Sequence, residues 1–169
     1  MNEILTALCR HHVWANLRLI DACAGLDDAL QTATVPGTYG SVRDTLVHVV
    51  ANEEGYLALA DGGPRPTREG FAFAGFDDLR QRADANAARL LALVARAEGD
   101  PVVRGEWRPG GNGGEGTPRP FALPTSVFVT QTLGHAAEHR AQVATILGGR
   151  GIEPPVLDAW VYAEETTGG

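Results

Sequence analysis

The sequence predicts an all-α protein: one four-helix bundle domain over residues 1–169, with a long irregular loop or small hairpin between its third and fourth helices. Three observations predict it. Four segments carry apolar residues at helical spacing, Gly and Pro gather between those segments, and only two short runs read as strands, too little for a sheet layer. A chain of 169 residues has the size of one domain and can bury a core of its own.

The first helix is predicted from about Asn2 to Ala24, with Leu5, Leu8, Val13, Trp14, Leu17 and Ile20 at roughly helical spacing and Gly25 as its stop. The stretch Thr34 to Gly40 reads as loop. Ser41 is a good N-cap for the second helix, and Asp44 adds favourable charge near its N-terminus. That helix runs to about Ala60, where Asp61-Gly62-Gly63-Pro64 breaks it. A loop carrying Phe71, Phe73 and Phe76 follows. Asp77 or Asp78 opens the third helix, strongly amphipathic and reaching Glu98. The runs VVRGEW and PFAL then flank RPGGNGGEGTPR, a flexible loop or small hairpin and not a domain hinge. The fourth helix begins near Pro124-Thr125 and ends at Gly148-Gly149. The Pro-containing tail after it must pack somewhere, because it carries Val156, Leu157, Trp160 and Tyr162.

Composition excludes several function classes. The formal net charge is -7, and no basic run interrupts it. A nucleic-acid binder neutralises phosphates with a basic stripe, and a polybasic membrane anchor needs one too. Neither is expected here. The basic residues are all arginine, a feature of composition with no functional reading. Cys9 and Cys23 lie 14 residues apart on the first helix, about 21 Å at ~1.5 Å per residue, too far for a disulfide. They read as reduced core cysteines of a cytoplasmic protein. Arg10, His11 and His12 break the N-terminal apolar run, so it is neither a signal peptide nor a membrane span.

Five histidines remain to be placed. His135 and His139 stand at i and i+4 on the fourth helix, so both imidazoles leave one face about a turn apart. Phe128, Thr132, Gln142, Val143 and Ile146 share that side, so the pair should point inward. Two buried imidazoles lose water, and coordinating one metal removes that cost. Core histidines bonded to backbone or to Gln142 are the alternative. A third ligand must come from another helix, and His48 is the best candidate, with Asp44, Thr45, Asn52 and Tyr56 beside it as groups to hold its tautomer. The strongest apolar stripe of its helix (Val42, Leu46, Val49, Val50, Leu57) is offset from His48 by a third of a turn, so a surface histidine is the other reading. His11 and His12 point about 100° apart and are assigned structural roles. Trp14, Trp107 and Trp160 read as core or lid aromatics.

His135-Ala-Ala-Glu138-His139 also fits H-x-x-E-H, in which the Glu is a protease's general base and a downstream Glu the third ligand. Here Glu153, Glu164 and Glu165 follow, but in or after the Pro-containing tail. A wider pattern fits better. The first helix carries His12-Val13-Trp14-Ala15-Asn16-Leu17-Arg18-Leu19; the second gives Gly40-Ser41-Val42-Arg43-Asp44-Thr45-Leu46-Val47-His48 and then Glu53. The fourth gives His135-x-x-x-His139-Arg140-x-Gln142, and Gly151-Ile152-Glu153-Pro154-Pro155-Val156-Leu157-Asp158 follows. Through these segments, in this order, the chain resembles the DinB/YfiT-like family of metal-binding four-helix bundles over nearly its whole length. Ala141 stands where that family commonly has Gly.

The resemblance implies that His48, His135 and His139 are the ligands of a divalent metal ion, zinc or nickel foremost, with copper and iron also suited to imidazoles. It implies a homodimer, and an enzyme of the thiol-transferase kind that joins a small thiol such as bacillithiol or mycothiol to an electrophile. Three protein ligands leave a fourth position open, the arrangement of a catalytic site. Whether Glu138 or a metal-bound hydroxide would act as base is left open by the sequence. Metal-dependent hydrolysis, or a non-catalytic metal-binding dimer, are the alternatives.

Overall fold

In a computed structural model of the chain, residues 3–63, 65–108 and 116–167 are described. They form six α-helices and one two-stranded sheet: α1 (Glu3–Ala24), α2 (Asp28–Gln31), α3 (Val42–Asp61), α4 (Phe76–Ala95), β1 (Val102–Trp107), β2 (Arg119–Pro124), α5 (Thr125–Gly149) and α6 (Ala159–Thr167), with a 3-10 turn at Arg68–Phe71. The four predicted helices are α1, α3, α4 and α5. They pack in a closed circuit, α1 on α4 and α5, and α3 on the same two. Among the described residues no helix is long and apolar enough to cross a membrane.

Local chemistry sets the ends. Ser41 caps α3, its side chain accepting from the Asp44 N–H while the Asp44 carboxylate accepts from the Ser41 N–H. Gly62 closes α3 in the left-handed region at φ 72°, where a side chain would be strained. Asp77 and Asp78 occupy the first turn of α4 and complement its dipole. The strands pair antiparallel, from Val102 opposite Pro124 to Trp107 opposite Arg119. The hairpin alternative is therefore the one adopted, and residues 109–115 of its predicted Gly-rich loop lie outside the described residues.

Two apolar clusters stack along the helices. One gathers Leu19, Ile20, Val42, Leu46, Val50, Leu79, Val143, Ile146 and Leu147; the other Cys9, Leu57, Leu90, Leu93, Val94 and Val129. Between them, at the level of His12, Asn16, Glu53, Asn86 and Thr132, buried polar side chains interrupt the core. The candidate site lies beside this layer.

The C-terminal tail differs from expectation. It forms α6, and Leu157 and Tyr162 pack as their apolar surface requires, Leu157 against the first cluster and Tyr162 5.5 Å from the Trp14 ring. Trp160, however, is 81% exposed and Val156 half exposed. Trp160 is thus no core aromatic. Only Trp160 and Tyr162 of the four lie on α6, about 200° apart around it, so packing Tyr162 leaves Trp160 outside. Trp107 is also exposed, at the end of β1. The sequence signal for α6 was masked by Pro154 and Pro155, which precede it and lie outside it.

Candidate metal centre

α3 and α5 place the three candidate histidines together. One ring nitrogen of each of His48, His135 and His139 lies within 4.8 Å of the other two. His48 Nε2 and His135 Nε2 are 3.0 Å apart. Ring centroids are separated by 4.9 Å for His48–His135, 4.7 Å for His48–His139 and 4.5 Å for His135–His139. His48, offset from its helix's apolar stripe, is half-buried and reaches sideways to the α5 pair. The surface-histidine reading is thereby excluded.

Each ring has an outer neighbour. His139 Nδ1 lies 2.9 Å from Gln142 Oε1, which also accepts from the Tyr39 N–H at 3.0 Å. An oxygen beside Nδ1 requires the N–H there, which turns the Nε2 lone pair of His139 toward the cluster. Asn52 Nδ2 donates to the His48 carbonyl at 2.7 Å and sits 3.1 Å from His48 Nδ1. The Tyr39 ring stacks on His48, 3.8 Å between centroids and tilted 30°. Tyr56 stands edge-on to His135 at 5.5 Å and accepts from Gln131 Nε2. Tyr39 comes from a loop without periodic pattern, so nothing in its sequence position marked it as a site residue.

Burial, reinforced by His139, pushes His48 down from 6.5 to about 4; burial with His139 and His48 does the same to His135. Both imidazoles are therefore neutral at pH 7, with lone pairs available. His135 Nδ1 is buried without a hydrogen-bond partner among the described residues.

These residues fit a divalent metal ion. The 3.0 Å separation of two Nε2 atoms is near the roughly 3.3 Å edge of a tetrahedron with metal–nitrogen bonds of about 2.0–2.1 Å. Three neutral imidazoles are a donor set that zinc, nickel, copper and iron all accept. Replacing Gln142 by alanine is expected to lower metal affinity about 10–100-fold by freeing the His139 tautomer. A competition titration against a chromophoric chelator measures it, and an unchanged affinity would show that the contact orients nothing.

The same pKa shifts carry a pH dependence for the metal-free protein. His48 and His135 titrate lower when folded than in the unfolded chain. Below about pH 6.5 the unfolded state therefore takes up protons that the native state refuses. Their contribution to stability is present above pH 6.5 and lost as pH falls toward 4. Urea unfolding of chelator-treated protein at pH 7.5, 5.5 and 4.5 should show a falling midpoint, and His48→Asn should flatten the trend.

The other histidines stay outside the cluster. His11 Nε2 bonds to the Leu157 carbonyl at 2.8 Å, and its ring lies against Trp14 and Tyr162. His12, 3% exposed, pairs with Glu53, also 3% exposed, at 2.9 Å. Asn16 links this pair to α5: its Nδ2 donates to Glu53 Oε1 at 2.8 Å, and its Oδ1 accepts from Arg140 Nη1 at 2.6 Å. Arg140 adjoins His139, so the network ties α1 and α3 to the helix that carries the histidine pair. His12 and Asn16 stand at i and i+4 and Glu53 interrupts an apolar helix, which is the signal that could have located this layer.

The protease reading does not survive. Glu138 is exposed between the two histidines, and Glu165 bonds to Trp14 Nε1 and Arg18. Neither of these, nor Glu153 or Glu164, joins the histidine cluster among the described residues.

A family model described as the DinB family matches residues 1–168. The chain belongs to the DinB family. A crystal structure of a DinB-like protein from Bacillus cereus ATCC 10987 aligns with a TM-score of 0.60 over 87% of this chain and 91% of that one; at 14% identity the likeness is of fold alone. The DNA repair protein RecO of Salinibacter ruber is 40% identical over 75 residues, 44% of this chain. That match spans only 26% of the RecO chain, about a quarter of its length.

Proposed function

We propose that this DinB-family chain is a divalent-metal-dependent enzyme, built as a four-helix bundle, that joins a small thiol to an electrophilic substrate. His48, His135 and His139 would hold the ion, zinc or nickel. The observation that carries the proposal is the meeting of three imidazole nitrogens from two helices within 4.8 Å of one another.

A bound divalent ion supplies positive charge that stabilises a thiolate near neutral pH, with a coordination position beyond the three imidazoles. The chain's residues prepare the place. Gln142 turns the His139 lone pair inward, and the Tyr39 ring stacks on one face of His48. Tyr56 borders the cluster on the His135 side.

Neither cysteine of the chain is placed to act as a nucleophile. Burial raises Cys9 to about 11 and Cys23 to about 12, so neither is a thiolate at neutral pH. The thiol must come from outside, which supports transfer of a small thiol over a protein-cysteine mechanism.

The test is a conjugation assay with a panel of small thiols and electrophiles. Activity should vanish with chelator and return with the added ion. Turnover of an ester or amide without thiol would favour the hydrolase alternative, and silence across every thiol would favour a non-catalytic metal-binding protein.

A further inference from the structure

A cavity of about 290 Å³ opens beside His48, lined by Tyr39, Gly40, Asp44, Val47, His48 and Phe71. It is close to the lower end of small-ligand pockets, ~300 Å³. Two of its walls are aromatic. Asp44 is its formally charged side chain, and His48 stands one turn of α3 further along, ~6 Å at 1.5 Å rise per residue.

The Asp44 carboxylate is held in place without being neutralised. Its Oδ2 accepts from the Ser41 N–H at 3.2 Å and from Ser41 Oγ at 2.7 Å. Its Oδ1 accepts nothing among the described residues, and no arginine pairs with Asp44 there. The neighbouring Arg43 turns away, to Gln31, to Asp28 at 2.8 Å and over the Phe73 ring. Arg82 is committed to Glu54 and to the Gly70 carbonyl. Gly40 permits this arrangement, because a Cβ there would meet Asp44 Cβ at 3.0 Å and Oδ2 at 3.2 Å. The loop can thus bring the Tyr39 ring over His48 while leaving the carboxylate open to the cavity.

A fixed carboxylate, aromatic side chains in the lining and no cation paired with Asp44 among the described side chains form a receptor for an ammonium group. The carboxylate supplies charge-assisted hydrogen bonds, and the Tyr39 and Phe71 faces can carry a cation. An anionic molecule of the same size would face uncompensated like charge.

We propose that this cavity selects small thiols bearing an ammonium group, with Asp44 as the charge partner. A sulfur at the histidine cluster and a nitrogen at Asp44 would then sit one helical turn apart. The thiol part of this inference rests on the proposed transferase reading; the ammonium preference is a property of the cavity.

The experiment is isothermal titration of the zinc-loaded full chain with cysteamine, N-acetylcysteamine and 3-mercaptopropionate, on wild type and Asp44→Asn. The amide oxygen introduced by that substitution can still accept from Ser41, so the cap of α3 is kept while the charge is lost. Wild type should bind cysteamine about three- to tenfold tighter than N-acetylcysteamine, and 3-mercaptopropionate least well. In Asp44→Asn the cationic preference should shrink to less than twofold. Comparing the variants cancels the intrinsic difference in thiol acidity between the probes.

A preference unchanged by Asp44→Asn, equal binding of all three probes, or no binding at all would overturn the proposal. The two readings separate cleanly. Conjugation of all three thiols without charge preference removes the ammonium pocket and keeps the transferase. Asp44-dependent selection of cysteamine without any conjugation does the reverse.

Discussion

Replacing Glu53 by alanine is expected to destabilise the protein by about 3 kcal/mol and to lower its melting temperature by roughly 6–12 °C. Glu53 is the acid of the buried layer between the two apolar clusters, 3% exposed and bonded to both Asn16 and His12. Arg140 reaches it through Asn16, and burial pulls the Arg140 pKa down while Glu53 raises it. Without Glu53 the guanidinium keeps its desolvation cost and loses the opposing charge. A buried charge left alone costs far more than an intact pair contributes. Glu53→Gln keeps an oxygen for Asn16 and should cost about half as much. Thermal unfolding followed by circular dichroism decides it: a shift under about 2 °C for Glu53→Ala would mean that water already compensates Arg140. The consequence extends to the site, because the network fixes α3 against α5, the two helices whose histidines must meet.

The second large effect is on turnover. If the proposed thiol conjugation runs at this cluster, His135→Ala and His139→Ala should each lower it at least about 10³-fold, equivalent to ~4 kcal/mol of transition-state stabilisation. These changes remove a donor from a three-nitrogen set, so the loss should exceed that of Gln142→Ala, which only frees a ring. Steady-state rates measured with saturating added metal test the point. If the two variants retained a tenth of wild-type activity or more, the cluster would not be the reacting centre.

The helices were legible because their signals are local. The Ser41–Asp44 cap, the stop at Asp61-Gly62-Gly63 and the start after Pro124 place the ends of α3 and α5 within a residue or so. The i, i+4 pair on α5 was legible for the same reason. The placement of His48 was only half legible: its offset from the apolar stripe reads as exposure until α5 is known to lie on that flank. Pairing between helices is a tertiary fact, and one sequence carries it only through family resemblance, here the DinB-like pattern of four ordered segments. Tyr39 and the Asp44 cavity were not legible, since a loop residue stacked on a ring has no periodicity to betray it. Trp160 misled in the other direction, because hydrophobicity alone does not say which side of a short helix is covered.

Tag-free protein from metal-supplemented culture, analysed for bound metals beside His48→Ala prepared in parallel, addresses the centre most directly. Wild type should carry about one divalent ion per chain, and the variant close to none at the same fold content by circular dichroism. Equal metal in both, or none in wild type even after incubation with zinc or nickel, would contradict a shared ion bridging α3 and α5.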